Sequence, residues 1–266
     1  MIDKFFYENP VFRLLDFQNW KDPQGSSNKI NVHSALRYYQ KTGRIIGLKK
    51  ELYAVVPPNE SPETVLVDSY LIAAKASDDS VLAFHTALEL HGFAYSSFEQ
   101  FTFMSKHKIR PFEYAGQNFL PTTFPKGDSS SEEIETINRQ GLDIKITSLE
   151  RTFVDVLNRI EISGGWEEVI RSLESIGPIN IDRVINYCLS LGVNTLNAKV
   201  GFFLEQRPGV FSPSEEQLGR LLSERPLHHR SIRGVKGETL KFIKKWNISL
   251  PESVINKTWE EPNDNF

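Results

Sequence analysis

Five side chains, His33, Ser34, Arg37, Tyr38 and Lys41, recur at spacings that gather them on one side of a helix. The chemistry open to them is recognition of duplex DNA. Arginine can make a bidentate pair with guanine, serine and tyrosine can hydrogen-bond to base or phosphate, and lysine can neutralise phosphate. Val32, Ala35, Leu36 and Tyr39 fall at i, i+3, i+4 and i+7 of the same stretch, the signature of an apolar stripe. From Lys29 to Val56 the cations Lys29, Arg37, Lys41, Arg44, Lys49 and Lys50 face only Glu51. The whole chain, 266 residues with a formal charge of −3, has no global attraction for nucleic acid, so this local excess is the informative quantity. The bland alternative is a solvated cationic face.

Other groups could do chemistry, but each lacks a partner. Asp143-Ile144-Lys145 has the acidic-then-lysine order of a metal-dependent nuclease strand. Such a site needs an earlier carboxylate for Mg²⁺, and Glu132, Glu133 and Glu135 lie in or beside a polar turn. His85 and His91 are six apart, whereas a helical zinc pair needs i, i+4, so capping and packing are expected of them. His228 and His229 are adjacent among Arg225, Arg230 and Arg233. Ser148, Arg151 and Asp155 read either as a polar site or, as we expect, as a helix cap followed by an i, i+4 ion pair. Cys188 is the sole cysteine and falls in the stripe Ile181, Val184, Ile185, Cys188, Leu189, which suits packing. There is no phosphate-cradling glycine loop, nucleophile elbow or Walker motif. No catalytic residue, metal site or cofactor is expected.

The recognition side chains need a scaffold, and the flanking sequence offers one. Phe5 to Tyr7 with Val11 and Phe12 reads as a first helix or its end, Pro10 as the start of a new element, and Leu14, Leu15, Phe17 and Trp20 as a second helix. A polar loop, Lys21 to Lys29, leads to a helix capped by Asn31 and stopped at Gly43. Two strands follow, turning near Lys49 and Lys50. Helix, helix and hairpin in this order predict an N-terminal winged helix-turn-helix over residues 1–60. The proline-rich stretch 56–62 then serves as linker.

Residues 61–266 are expected to form a larger domain. The reading there is a helix over Thr64 to Ala76, a short apolar run at Val81 to Phe84 and a helix over Thr86 to Leu90. Strands are expected at Glu99–Met104, Ile109–Tyr114 and Leu142–Thr147, with Phe119–Phe124 an edge strand or loop because of Pro121. Lys126 to Glu133 reads as a polar turn, and helical stripes fill the chain from Ser148 onward. The fold class is therefore α+β, a small mixed sheet with a helical bundle. The tail from Leu221 to Lys245 is basic again. Its Lys241, Phe242, Lys244, Lys245 and Trp246 suit either a single-strand stacking surface or, for the aromatics, a core. The N-terminus lacks a signal-peptide layout and no run reaches the roughly 18 apolar residues of a membrane span, so a cytoplasmic protein with no membrane partner is expected.

Four stretches in order resemble the AbiEi-type antitoxins, transcriptional regulators of type IV toxin-antitoxin systems linked to abortive phage infection. They are Asn9 to Asp16, the basic helix with Gly43-Arg44 and Leu52-Tyr53-Ala54, His85 to Gly92, and Ser148 to Asp155 leading to Gly164-Gly165. The resemblance covers roughly the first 210 residues and leaves out the tail from Ser212. It implies repression of the chain's own operon by binding double-stranded promoter DNA. It also implies neutralisation of a nucleotidyltransferase-like toxin by the C-terminal domain, without a stable complex. Glu51 stands where the family usually has a wing glycine, and Leu149 where it has a helix-starting proline. The residues that would touch DNA are Lys29, Asn31, His33, Ser34, Arg37, Tyr38 and Lys41, with Arg44, Lys49 and Lys50 of the hairpin. A protein-binding winged module and the Asp143/Lys145 nuclease are the alternatives.

Overall fold

The structure, a computed structural model, describes residues 2–24, 29–125, 133–232 and 238–257. The expected turn at 126–132, the middle of the 21–29 loop, and Arg233 and Lys236 of the tail lie outside the described residues. The protein is α+β, with three sheets among the described residues, and it divides into two compact units, each discontinuous in sequence. The first holds residues 1–82, 99–123 and 135–146, and the second the remainder. Residues 1–60, expected as a module of their own, lie inside the first unit.

The first unit begins α1 (Ile2–Glu8), β1 (Val11–Arg13), α2 (Leu14–Lys21), α3 (Lys29–Lys41), β2 (Ile45–Lys49) and β3 (Leu52–Val55). Val11 and Phe12 are thus strand rather than the end of the first helix. Pro10 stops α1, and its carbonyl accepts from Val55 N at 2.9 Å, which leads the chain into an antiparallel pairing of Val11 with Ala54. β2 completes the sheet in the order β1-β3-β2. Phe5, Phe6, Phe12, Phe17, Val32, Leu36 and Ile45 form one buried cluster. Phe5 meets Phe12 at 5.2 Å and Phe17 at 5.4 Å, both edge-on, the arrangement that aromatic quadrupoles favour.

The rest of this unit is α4 (Ser69–Lys75) and a six-stranded mixed sheet. Its strands are β4 (Val81–Leu82), β5 (Gln100–Met104), β6 (Phe112–Tyr114), β7 (Gln117–Thr122), β8 (Ile134–Arg139) and β9 (Leu142–Thr147), in the order β6-β7-β5-β4-β9-β8. The helix expected from Thr64 starts only at Ser69, because Asp68 is its N-cap, with Oδ1 accepting from Tyr70 N at 2.9 Å. Pro121 sits in β7, an interior strand, rather than on an edge. β7 pairs with β6 only over residues 117–119, so Pro121 lies past the end of β6 and opposes Phe103 on the β5 side.

The second unit is mainly helical: α5 (His85–His91), α6 (Leu149–Asn158), α7 (Gly165–Ser175), α8 (Ile181–Ser190), α9 (Asn194–Glu205) and α10 (Glu215–Ser223). A small sheet of β10 (Arg230–Ser231), β11 (Leu240–Ile243) and β12 (Ile248–Pro251) follows, then α11 (Glu252–Asn256). α6 is the central helix. It packs against α5, α7, α8 and α9 and is buried from Glu150 to Leu157. Ser148 caps it through its side chain, as expected from the sequence. Among the described residues, no helix is long and apolar enough to cross a membrane.

Candidate nucleic-acid interface

α3 divides as its periodicity predicts. Val32 and Leu36 are buried, Ala35 and Tyr39 half-buried, and Asn31, His33, Ser34, Arg37, Tyr38 and Lys41 exposed. Tyr38 keeps 61% of its surface in water. The helix contains no carboxylate. Arg37 and Lys41, one turn apart, have no ion-pair partner among the described residues.

The two ends of α3 differ in how far the sequence places them. At the C-terminus Gly43 takes φ +70, its N–H bonds the Gln40 carbonyl at 3.1 Å, and Arg44 N bonds the Tyr39 carbonyl at 2.9 Å. These are the two bonds of a Schellman stop, which needs a left-handed residue at Gly43. The N-terminus corrects the sequence reading: Asn31 is the third helical residue, not the cap, since α3 already includes Lys29. Lys29 is described as backbone only. Lys21, expected in the loop, ends α2 and donates to the Asn31 carbonyl at 3.1 Å. That places one more cation beside the N-terminal end of α3. Its only sequence signal is its position after the Trp20 turn.

The hairpin holds its cations differently. The turn falls at Lys50–Glu51, one residue later than expected, with Lys49 opposite Leu52 and a bulge between Gly47 and Lys49. Glu51 takes φ +63, a left-handed conformation that suits glycine, and its carbonyl accepts from Leu14 N at 2.9 Å. The hairpin tip is therefore tied to the first residue of α2. Arg44 pairs with Asp3 and lies over the rings of Phe6 and Tyr39 at 5.0 and 5.6 Å. Lys49 donates to the Ala76 carbonyl at 3.3 Å and sits 4.3 Å from the Phe112 ring centroid, and its burial lowers its pKa below the usual lysine value. Arg44 and Lys49, both expected at phosphate, thus have partners within the first unit: Arg44 in a surface ion pair with Asp3, and Lys49 half-buried. Lys50 remains exposed, on the rim of a cleft of about 440 Å³ that Arg13, Gln18, Lys75 and Ile109 also line.

Most of the other chemistry-bearing groups have internal partners, although His85 Nδ1 is buried without a hydrogen bond. His85 is buried, with Nε2 3.0 Å from Glu168 Oε1 and its ring stacked on Phe98 at 3.9 Å. The same carboxylate oxygen accepts from Tyr95 N, Ser96 N and Ser172 Oγ at 3.0–3.1 Å. Burial opposes ionisation of Glu168, but the bonds from His85, Ser96 and Ser172 outweigh it and bring its pKa down to about 2. His91 Nε2 lies 2.8 Å from the Thr147 carbonyl, so the two histidines pack and cap as expected. Arg151 bonds Asp155 at 3.2 Å with both fully buried, and Tyr187 donates to Asp155 at 2.8 Å. Cys188 is buried, and burial raises its thiol pKa.

Asp143 and Lys145 are exposed on β9, and Asp143 accepts from Asn138 at 2.9 Å. Neither belongs to a metal-sized cluster; among the described residues that geometry occurs at Asp78, Asp79 and His107, which sequence separation hides. Asp79 already accepts from Ser77 Oγ, Ser105 Oγ and Lys106 N at 2.6–2.7 Å. This group reads as a loop staple.

The class that fold and surface define is a mixed α+β protein presenting one untied basic helix. No protein-family model matches the chain, and no curated protein sequence does. Among solved structures, the RV2827C protein from Mycobacterium tuberculosis is similar, with a TM-score of 0.65 over 98% of this chain and 94% of that one, at 12% identity. At that identity the likeness concerns fold alone.

Proposed function

We propose that residues 1–60 are a winged helix-turn-helix that binds double-stranded promoter DNA through α3. The supporting observation is the α3 face: Asn31, His33, Ser34, Arg37, Tyr38 and Lys41 stand in water opposite a buried stripe, with no acid on the helix. The order α1-β1-α2-α3-β2-β3, with the sheet β1-β3-β2, suits a recognition helix carried by two helices and followed by a hairpin. A helix of this width enters the major groove, where Arg37 meets base edges and Lys41 the backbone. Lys50 supplies a flanking phosphate contact. Arg44 and Lys49 hold the module together instead.

On the sequence resemblance, the chain is an AbiEi-type antitoxin and autorepressor of a type IV toxin-antitoxin operon, counteracting a nucleotidyltransferase-like toxin. It uses no catalytic residue and no cofactor. The two halves of this reading separate in experiment. A shift titration of the chain on its own promoter fragment, against a scrambled duplex, tests the DNA half, and equal binding to both sinks it. Co-expression with the neighbouring toxin gene tests the antitoxin half, and unrelieved growth arrest sinks that.

A further inference from the structure

The two edges of the six-stranded sheet are finished differently. β6, at one end, is three residues long and follows Pro111, the short, proline-marked kind of edge that resists pairing with other chains. β8, at the other end, runs for six residues from Ile134 to Arg139 and contains no proline and no lysine. Its hairpin with β9 fixes which backbone groups are left over. Gln140 and Gly141 take φ +51 and +83, both left-handed, as in the two-residue type I′ turn that joins antiparallel strands. Arg139 and Leu142 flank that turn and exchange both main-chain bonds, so the backbone groups of Ile137 and Glu135 also face β9. The same register sets Asn138 opposite Asp143, in keeping with the side-chain bond between them at 2.9 Å. The N–H and C=O groups of Thr136 and Asn138 therefore point outward, where no described strand pairs with them.

The side chains along this edge fit a second copy of themselves. Glu135, Ile137 and Arg139 share one face of β8, the face of Leu142, Ile144 and Ile146 on β9. Glu135 is exposed with no ion-pair partner among the described residues, and Ile137 is only half-buried. Arg139 gives its Nε to Asp68 at 2.6 Å and lies over the Tyr70 ring at 4.4 Å, and neither of its Nη groups is bonded among the described residues. Antiparallel pairing of β8 with its own copy about Ile137 sets Glu135 opposite Arg139 of the second copy, and the two-fold axis repeats that pair. It also sets Ile137 on Ile137, and it lets Thr136 and Asn138 exchange main-chain bonds with Asn138 and Thr136 of the second copy. Centring the pair on Thr136 instead would set the Glu135 carboxylate against Ile137. A strand of unrelated sequence meets an acid and a base on this face, which count against it. We infer that β8 is a dimerisation edge that joins two copies of this chain into one continuous sheet, antiparallel and centred on Ile137. One strand pairing buries less than the roughly 1,000 Å² of a stable interface, so the dimer depends on concentration. Pairing at this edge is independent of what α3 binds; in a DNA-binding chain it delivers two α3 helices to half-sites related by a two-fold axis.

The test is the mass of the full chain by light scattering over concentrations from about 1 to about 500 μM, the range in which so small an interface exchanges. The wild type is expected to rise from the mass of one chain toward that of two. Thr136→Pro removes an outward N–H that β9 does not use, at a position where an edge strand tolerates proline, so this variant should stay a single chain throughout. Glu135→Lys sets like charges against Arg139, and because the two-fold axis counts the change twice, the dissociation constant should rise about ten-fold or more. Arg139→Glu should do the same, and an equimolar mixture of these two variants should pair again, since each supplies the charge that the other needs. Circular dichroism reports whether each variant folds. If one does not, amide exchange in the wild type stands as a second measurement, in which the Thr136 and Asn138 amides should slow as concentration rises. A single chain at every concentration, a dimer undiminished in Thr136→Pro and Glu135→Lys, or a dimer whose Thr136 and Asn138 amides exchange as fast as in the dilute chain would overturn the inference.

Discussion

Helix α3 and the β2–β3 hairpin carry cations of the same kinds within a dozen residues of each other, yet they treat them oppositely. On α3, Arg37 and Lys41 project into water with no ion-pair partner among the described residues. In and beside the hairpin, Arg44 is paired with Asp3 and lies over two rings, and Lys49 is half-buried on the Ala76 carbonyl. A charge kept in place by internal partners contributes to the fold and is a poor ligand for phosphate, because binding must first break those contacts. A charge left in water costs the fold little and is free to exchange its counterions for phosphate. Cationic composition alone does not separate the two cases; the partners do.

The largest expected effect probes the tied class at its buried extreme. The pKa of Glu168, depressed to about 2, means that its ionised form stabilises the folded chain. That contribution, on the order of 3 kcal/mol, is fully present above the unfolded carboxylate value near 4.5. It is lost as pH falls from there through about 2, and Glu168→Gln should remove most of that acid dependence. Denaturant melts at stepped pH measure this, and a wild-type pH profile in the variant would show that the network is idle.

Next comes the free class. Arg37→Ala should cost duplex binding about 1–3 kcal/mol and relax base preference, while leaving the melting temperature within a degree or two. A smaller change is expected of Lys50→Ala, which should weaken all duplexes alike and reduce the salt slope by about 0.9, one phosphate. Smallest is Glu51→Gly, which relieves the left-handed strain at the hairpin tip and should raise stability by about 0.5 kcal/mol, measured by denaturant midpoint. A destabilised Glu51→Gly would mean that the Glu51 side chain, and not just its backbone, holds the tip.

How much of this was legible in the sequence follows from where each determinant lies. The face of α3 was readable because burial repeats with the helix period inside 13 residues. The Gly43 stop was readable because glycine is the residue that most often fills that left-handed position. The start of α3 was not, since the cap was assigned to Asn31 while the helix already includes Lys29. The fates of Arg44 and Lys49 were hidden because Asp3, Ala76 and Phe112 come from 27 to 63 residues away, and no local pattern announces them. β8 was missed because Ile134 and Ile137, its two apolar residues, fall three apart and off a period of two, and the strand buries none of its residues. The two aromatics of the tail were ambiguous for a related reason. Phe242 and Trp246 look alike in sequence, and only Glu205 and Gly201 decide which of them is core.

The central claim is that partners, and not charge, select the DNA contacts. It is tested most directly by titrating one labelled promoter duplex with the wild type, Arg37→Ala and Lys49→Ala side by side over a range of salt. The account predicts a loss of about five-fold or more for Arg37→Ala and near wild-type affinity and salt slope for Lys49→Ala. Equal losses from the two variants, or a larger one from Lys49→Ala, would contradict it.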